Sequence, residues 1–230
     1  MTRRLIATGA ILLAITLFTG LGVWQLERRA WKLDLIARVE ARLTAAPVPA
    51  PGPAAWPTLG PADAYTRVTA TGRFLHDRET PVLAVTDLGS GYWILTPLET
   101  PGFTLLVNRG FVPPDRRDPT TRPEGQLPGE VTVTGLLRLS EPGGGFLRRN
   151  DPAAGRWYSR DVAAISAART PPPPVAPYFV DAGAAPNPGG WPRGGLTVVR
   201  FRNAHLGYAL TWFALAAGLA AMTVYALRRR

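Results

Sequence analysis

Two long apolar stretches, one near each end, frame a middle in which hydrophobic residues alternate with polar ones or come in short runs. Residues 5–26 (LIATGAILLAITLFTGLGVWQL) and 206–227 (LGYALTWFALAAGLAAMTVYAL) carry no charge. As a helix, each reaches roughly 33 Å, enough for a hydrocarbon core about 30 Å thick. Both are predicted transmembrane helices. After the first, Trp31, Leu35, Val39 and Leu43 recur at every fourth position, with Arg38 and Arg42 between them. That period predicts a helix continuing to about Leu43. Residues 46–61 (APVPAPGPAAWPTLGP) then predict a stiff, extended connector.

The middle reads mainly as β-structure. Val68, Ala70, Gly72 and Phe74 alternate with polar residues. Residues 81–85 (PVLAV), 92–98 (YWILTPL), 103–109 (FTLLVNR) and 130–139 (EVTVTGLLRL) are further strands, separated by Gly, Pro and acidic turns. Shorter strands are expected at 155–160 (GRWYSR) and 177–181 (PYFVD), and a last one at 196–201 (LTVVRF). Residues 113–129 have no periodicity and read as a loop. DVAAISAA, opened by Asp161 as N-cap, predicts a short helix that the prolines at 171–174 end. GSGYW (89–93) and EPGGG (141–145) lack the spacing of a phosphate-binding loop and read as turns.

The predicted fold class is a membrane protein of α+β type, with N- and C-terminal transmembrane helices flanking a β-rich extramembrane domain, a barrel or a sandwich. The expected order is a tail (1–4), helix 1 (5–26), a membrane-proximal helix and Pro-rich connector (27–61), the β-rich domain (62–203), helix 2 (204–227) and a tail (228–230).

Charge changes this picture little. Lys and Arg number 26 against 16 Asp and Glu, and Lys32 is the only lysine. Arg3, Arg4, Arg228, Arg229 and Arg230 lie in the tails, so the middle is only modestly basic, and no nucleic-acid motif is present. The basic tails favour cytoplasmic termini, which places the domain in the periplasm. The first span is read as an uncleaved anchor, because no A-x-A-like site precedes LERR. No Arg/Ser-rich transit segment comes before it, so the expected location is a bacterial inner membrane. The absence of cysteine excludes disulfides, thiolate metal sites and Cys nucleophiles.

Catalytic chemistry is hard to find. No nucleophile elbow surrounds a serine, and no carboxylates stand at metal-ligand spacing. His76, in FLHDRET, reads as a solvated surface imidazole, and an envelope enzyme centred on it is the weakest alternative. His205 stands out. It lies in FRNAHLGYALTWF, where Asn203 is the expected N-cap and the helix N-terminus favours the neutral imidazole that binds metal. At 100° per residue, His205, Tyr208, Ala209, Trp212 and Ala216 share one face. Its small residues would let a flat ligand or a partner helix come close. Arg200 and Arg202, just outside the membrane, could pair with carboxylates such as haem propionates. The competing reading is an aromatic anchor among lipid headgroups, with the two arginines on lipid phosphates.

Three segments together resemble the Surfeit locus protein 1 family of cytochrome c oxidase assembly factors. LGVWQLERRAWK (21–32) is similar to the family's G-x-W-Q-L-x-R-x-x-W-K. LVNRGFVP (106–113) is similar to its V-N-R-G-W-V-P. The segment 194–217 resembles its N-x-H-L-x-Y-A-x-T-W-F region, and WYSRD (157–161) fits W-Y-x-x-D. Phe111 stands where the family usually has Trp, and Ala204 where a second Asn is common. The resemblance implies a chaperone, not an enzyme, that binds haem a and assists its insertion into oxidase subunit I. It implies His205 as the axial ligand, with Tyr208, Trp212, Arg200 and Arg202 around the haem. The implied partners are subunit I, the haem a synthesis machinery and the lipid bilayer, with no nucleic acid. The alternative is a haem-independent scaffold for oxidase intermediates. Within NRGFVP, Asn108 and Gly110 are expected to shape a turn and Arg109 to make a buried or interfacial pair.

Overall fold

The computed structural model describes residues 2–145, 147–197 and 203–229. Arg200 and Arg202, and most of the strand expected at 196–201, lie outside the described residues; Leu196 and Thr197 are irregular. The chain divides into two units, Met1–Glu40 with Val199–Arg230, and Ala41–Val198. Among the described residues it forms three α-helices: α1 (Thr2–Thr44), α2 (Val162–Arg169) and α3 (His205–Arg228).

The first unit is the α1–α3 pair. Both helices are long and apolar enough to cross a membrane, and α1 runs on to Thr44, as the four-residue period predicts. They pack antiparallel through a seam of rings and small residues. Phe18 stacks on Trp212 with ring centroids 5.6 Å apart. A methyl group at Gly22 would lie 2.6 Å from the Phe213 ring, so glycine there is what lets the helices close. Ala209 and Ala216 are buried. The cap of α3 differs from expectation. Ala204, with no side-chain bond, takes the N-cap position in place of Asn203. The helix begins one residue later than an Asn203 cap requires, and its first bond runs from Tyr208 N–H to Ala204 O.

The second unit is built on one sheet. Its strands are β1 (Val48–Pro49), β2 (Arg67–Phe74), β3 (Thr80–Thr86), β4 (Gly89–Thr100), β5 (Phe103–Val112), β6 (Glu130–Leu139) and β9 (Val175–Ala182). A separate small hairpin pairs β7 (Gly144–Gly145) with β8 (Arg148–Arg149). The main order is β1-β2-β6-β9-β5-β4-β3, and the far end of β4 returns to β2 at Arg73–Glu99 and Phe74–Leu98. That pairing closes the sheet into a barrel and resolves the barrel-or-sandwich alternative. The β5–β9 pair is parallel.

Alternation along each strand builds two cores. Inside the barrel lie Val68, Phe74, Leu98, Leu105, Val107, Leu137, Tyr178 and Val180. The opposite faces of β4, β5 and β9 present Leu95, Leu106 and Phe179, which α2 covers with Val162 and Ile165, joined by Trp157. Asp161 caps α2 by accepting from Ala164 N–H at 3.1 Å, as expected. The Pro-rich connector is held by Pro51 O, which accepts from Tyr178 Oη at 2.8 Å and Trp56 Nε1 at 2.9 Å. Burial pushes the Tyr178 phenol well up, so it stays a donor.

Two local expectations are corrected. Residues 155–160 form no strand. Asn150 Oδ1 takes the N–H groups of Tyr158 and Ser159, at 2.8 and 3.2 Å, so a side chain replaces the ladder partner. Residues 89–93 are not a turn but the first part of β4, paired with β3. Gly91 is there because a methyl would lie 2.2 Å from Val112 O.

Candidate functional site

Two places hold polar groups that packing alone does not explain. The first lies in the helix pair. His205 opens α3, and its Nδ1 stands 2.7 Å from Gln25 Oε1 on α1. An amide oxygen only accepts, so Nδ1 is the donor of this contact, and Nε2 is the nitrogen that a neutral ring would offer to a metal. That is the arrangement of a metal-ligating histidine, whose second nitrogen is held by a carbonyl-type acceptor.

The rest of the anticipated face is engaged with α1. Trp212 stacks on Phe18, and Ala209 and Ala216 are buried. Of the two partners anticipated for the small residues, the structure contains the helix. Tyr208 is the exception, 58% exposed. Gln25 itself was missed in sequence. Its signal is the spacing Phe18, Gly22, Gln25, which puts all three on one stripe of α1.

Among the described residues, no group of three or more His, Cys, Asp or Glu side chains could hold a metal ion. A haem iron takes most of its ligands from the macrocycle, so one histidine, His205, would be enough to hold it.

The second place is the family-like motif in β5. Asn108 and Gly110 do not shape a turn; they lie inside the strand. Trp93 of β4 faces Phe111 while Leu95 faces Asn108, so β5 carries one extra residue and bulges at Arg109–Gly110. Gly110 has φ +129°, and a methyl there would sit 2.1 Å from Arg193 O. Phe111 and Arg193 exchange backbone hydrogen bonds at 2.9 Å, so this strand of chain closes over the bulge.

The bulge turns Arg109 inward, where it is 2% exposed. Its Nη2 donates to Gly125 O, its Nη1 stands 3.4 Å from His76 Nδ1, and its guanidinium lies 4.8 Å from the Phe74 ring centroid. No carboxylate pairs with it among the described residues, so the buried form of the expected pair is not made there. His76 is half-buried, not a solvated imidazole. Its Nε2 donates to Leu127 O at 2.9 Å, and burial chiefly lowers its pKa below the ordinary 6.5, helped by Arg109 and Arg122. Nearby, Arg122 and Glu79 form a buried ion pair.

A closed β-barrel carried between two helices fit to cross a membrane defines a two-helix membrane protein with a large extramembrane domain. The SURF1 family profile matches residues 12–217. Surfeit locus protein 1 of Rattus norvegicus is 40% identical over 224 residues, covering 90% of this chain and 69% of its own. That of Homo sapiens is 38% identical over 234 residues, covering 94% and 74%. A SURF1-like protein of Monosiga brevicollis is 39% identical over 238 residues, covering 95% and 87%. The chain belongs to the SURF1 family, and this membership supports a role in cytochrome c oxidase assembly.

Proposed function

We propose that the protein is a membrane chaperone of oxidase assembly that holds haem a through His205 Nε2 and assists its insertion into subunit I. The observation that carries this reading is the 2.7 Å contact between His205 Nδ1 and Gln25 Oε1. It supports an imidazole held through its Nδ1–H, whose Nε2 in the neutral ring would be the ligand. When bound, the haem iron supplies a coordination position for that nitrogen. Gln25 makes the imidazole a better electron-pair donor by accepting a hydrogen bond from its Nδ1–H. Tyr208, exposed one turn below, offers a ring against which a macrocycle can lie, and Arg200 and Arg202 are the proposed partners of its propionates. A single protein ligand suits a carrier that must release its cargo. The proposed setting is a bacterial inner membrane with cytoplasmic termini and a periplasmic barrel. The proposed partners are subunit I and the machinery that makes haem a.

The engagement of Trp212, Ala209 and Ala216 with α1 favours a second reading, a haem-independent scaffold that stabilises oxidase intermediates. One measurement separates the two: the visible spectrum of the detergent-purified chain, co-expressed with haem a synthesis, beside His205→Ala and Gln25→Leu. The chaperone reading expects a haem a spectrum that His205→Ala abolishes or shifts. It expects Gln25→Leu to weaken retention by about 10- to 100-fold. A wild type purified without haem, from cells that make haem a, supports the scaffold.

A further inference from the structure

The charges around Arg109 do not balance. Arg109, Arg122 and Glu79 are all buried, and their relative exposures are 2%, 2% and 8%. Glu79 is committed to Arg122, and His76 beside them is held toward its neutral form by burial. Burial draws the Arg109 guanidinium down to about 10, with Glu79 opposing and Arg122 adding to the fall. It is still charged at neutral pH. Asp118, an exposed carboxylate, feels the charge of Arg122, but among the described residues the only carboxylate that acts on Arg109 is Glu79, already paired with Arg122. Arg109 therefore lacks a counter-charge of its own, a costly state in a protein interior. Its hydrogen bonding is incomplete too. Arg109 Nε, Arg122 Nη1 and Glu79 Oε2 are buried and have no partner among the described residues.

Arg109 also forms part of the wall of a cavity of about 150 Å³. Phe74, Leu127 and Val133 line it, Thr134 and Asn187 add polar groups, and the exposed Ala185 stands at its rim. That volume is too small for a macrocycle and has room for a few water molecules or a short acid. Among the described residues, no acidic side chain lines it.

We propose that this cavity binds a short-chain monocarboxylate group, with Arg109 meeting the charge and Phe74, Leu127 and Val133 covering the aliphatic tail. One negative charge brings the buried cluster to neutrality, and a carboxylate accepts the kind of guanidinium hydrogen bond that now goes unmade. A free acid and a glutamate side chain of a protein partner share this chemistry. The inference is independent of the haem reading, since its site lies wholly within the barrel unit.

The test is the thermal unfolding midpoint of the full chain in detergent, titrated with sodium butyrate or with N-acetylglutamate methylamide against sodium chloride of equal ionic strength. The expected result is a saturable rise with a carboxylate beyond that with chloride. A stronger response to butyrate assigns a free acid, and a stronger response to the blocked glutamate assigns a protein side chain. Arg109→Gln is expected to weaken the apparent affinity by more than about tenfold. Ala185→Phe, at an exposed position, is expected to abolish the response by closing the rim, and it carries the test alone if Arg109→Gln does not fold. A wild-type midpoint that moves no further with either carboxylate than with chloride overturns the proposal. So does a response that survives Ala185→Phe.

Discussion

The barrel unit holds two charged clusters, one partly exposed around the buried Asp181 and one wholly buried, and they are built on opposite terms. In one, Asp181 accepts from Asn108 Nδ2 at 2.8 Å, Arg138 Nη1 at 2.7 Å, Arg160 Nη1 at 3.1 Å and Thr197 Oγ1 at 2.9 Å. Glu141 pairs with the same two arginines. Two carboxylates meet two guanidiniums, and none of these side-chain atoms is buried without a partner. In the other, the one buried carboxylate, Glu79, pairs with Arg122 and leaves Arg109 without one, and each of the three leaves an atom unpaired. The first cluster is what a structural tie requires, since a network is worth its desolvation only when every member is satisfied. The second is incomplete, and the unmade hydrogen bond of Arg109 Nε is one that the proposed carboxylate would accept.

Removing one charge from each cluster sharpens the contrast. Glu79→Gln has the largest expected effect. It leaves Arg109 and Arg122 buried without a carboxylate of their own, and the barrel should lose about 3–5 kcal/mol. The urea midpoint of the full chain in detergent, followed by tryptophan fluorescence, measures this. Asp181→Asn should cost less, about 2–3 kcal/mol, because Glu141 remains to face Arg138 and Arg160. If Asp181→Asn proves the more damaging, the charge imbalance assigned to the Glu79 cluster is wrong. Arg109→Gln should cost only about 1 kcal/mol, since losing the bond to Gly125 O is offset by removing the unmatched charge.

The smallest effect is the pH dependence. His76 has its folded pKa below 6.5, so the unfolded chain binds the proton more readily. Its contribution is complete above about pH 6.5 and is lost as pH falls from there toward the folded value. Burial pushes Glu141 up, but the hydrogen bonds and charge of Arg160 outweigh it and hold the carboxyl below the ordinary 4.5. Its contribution is present above pH 4.5 and is lost as pH falls through the folded value. The unbalanced cluster should therefore weaken first on acidification. His76→Gln should flatten the midpoint-against-pH curve just below pH 6.5 and leave the fall below pH 4.5 intact. An unchanged curve would show that His76 is not the group responsible.

Sequence patterns reveal this molecule where one residue type has one physical use. Charge-free runs mark α1 and α3, the alternation at Val68–Phe74 marks β2, EVTVTGLLRL is β6 to the residue, and Asp161 marks the start of α2. Patterns fail where a residue acts through a distant partner. Gly110 reads as a turn because glycine usually is one, and only the approach of Arg193 reveals the bulge. His76 reads as solvated because the residues that bury it, Arg109 and Leu127, are far along the chain. Likewise Asn150 reveals its role only through the amides of Tyr158 and Ser159. In the helix pair, His205 is legible and Gln25 is not, because the contact joins residues 180 positions apart.

The bulge at Gly110 has a bearing on inherited variation. Every missense change in a glycine codon adds at least a Cβ atom. At Gly110 any such atom meets the Arg193 carbonyl, in a backbone conformation that side chains resist. No allele at this position can be mild in the way a surface change is mild. Each is expected to lower the amount of folded protein and not its specific activity, so cells bearing such an allele should differ in abundance on an immunoblot before they differ in function per molecule.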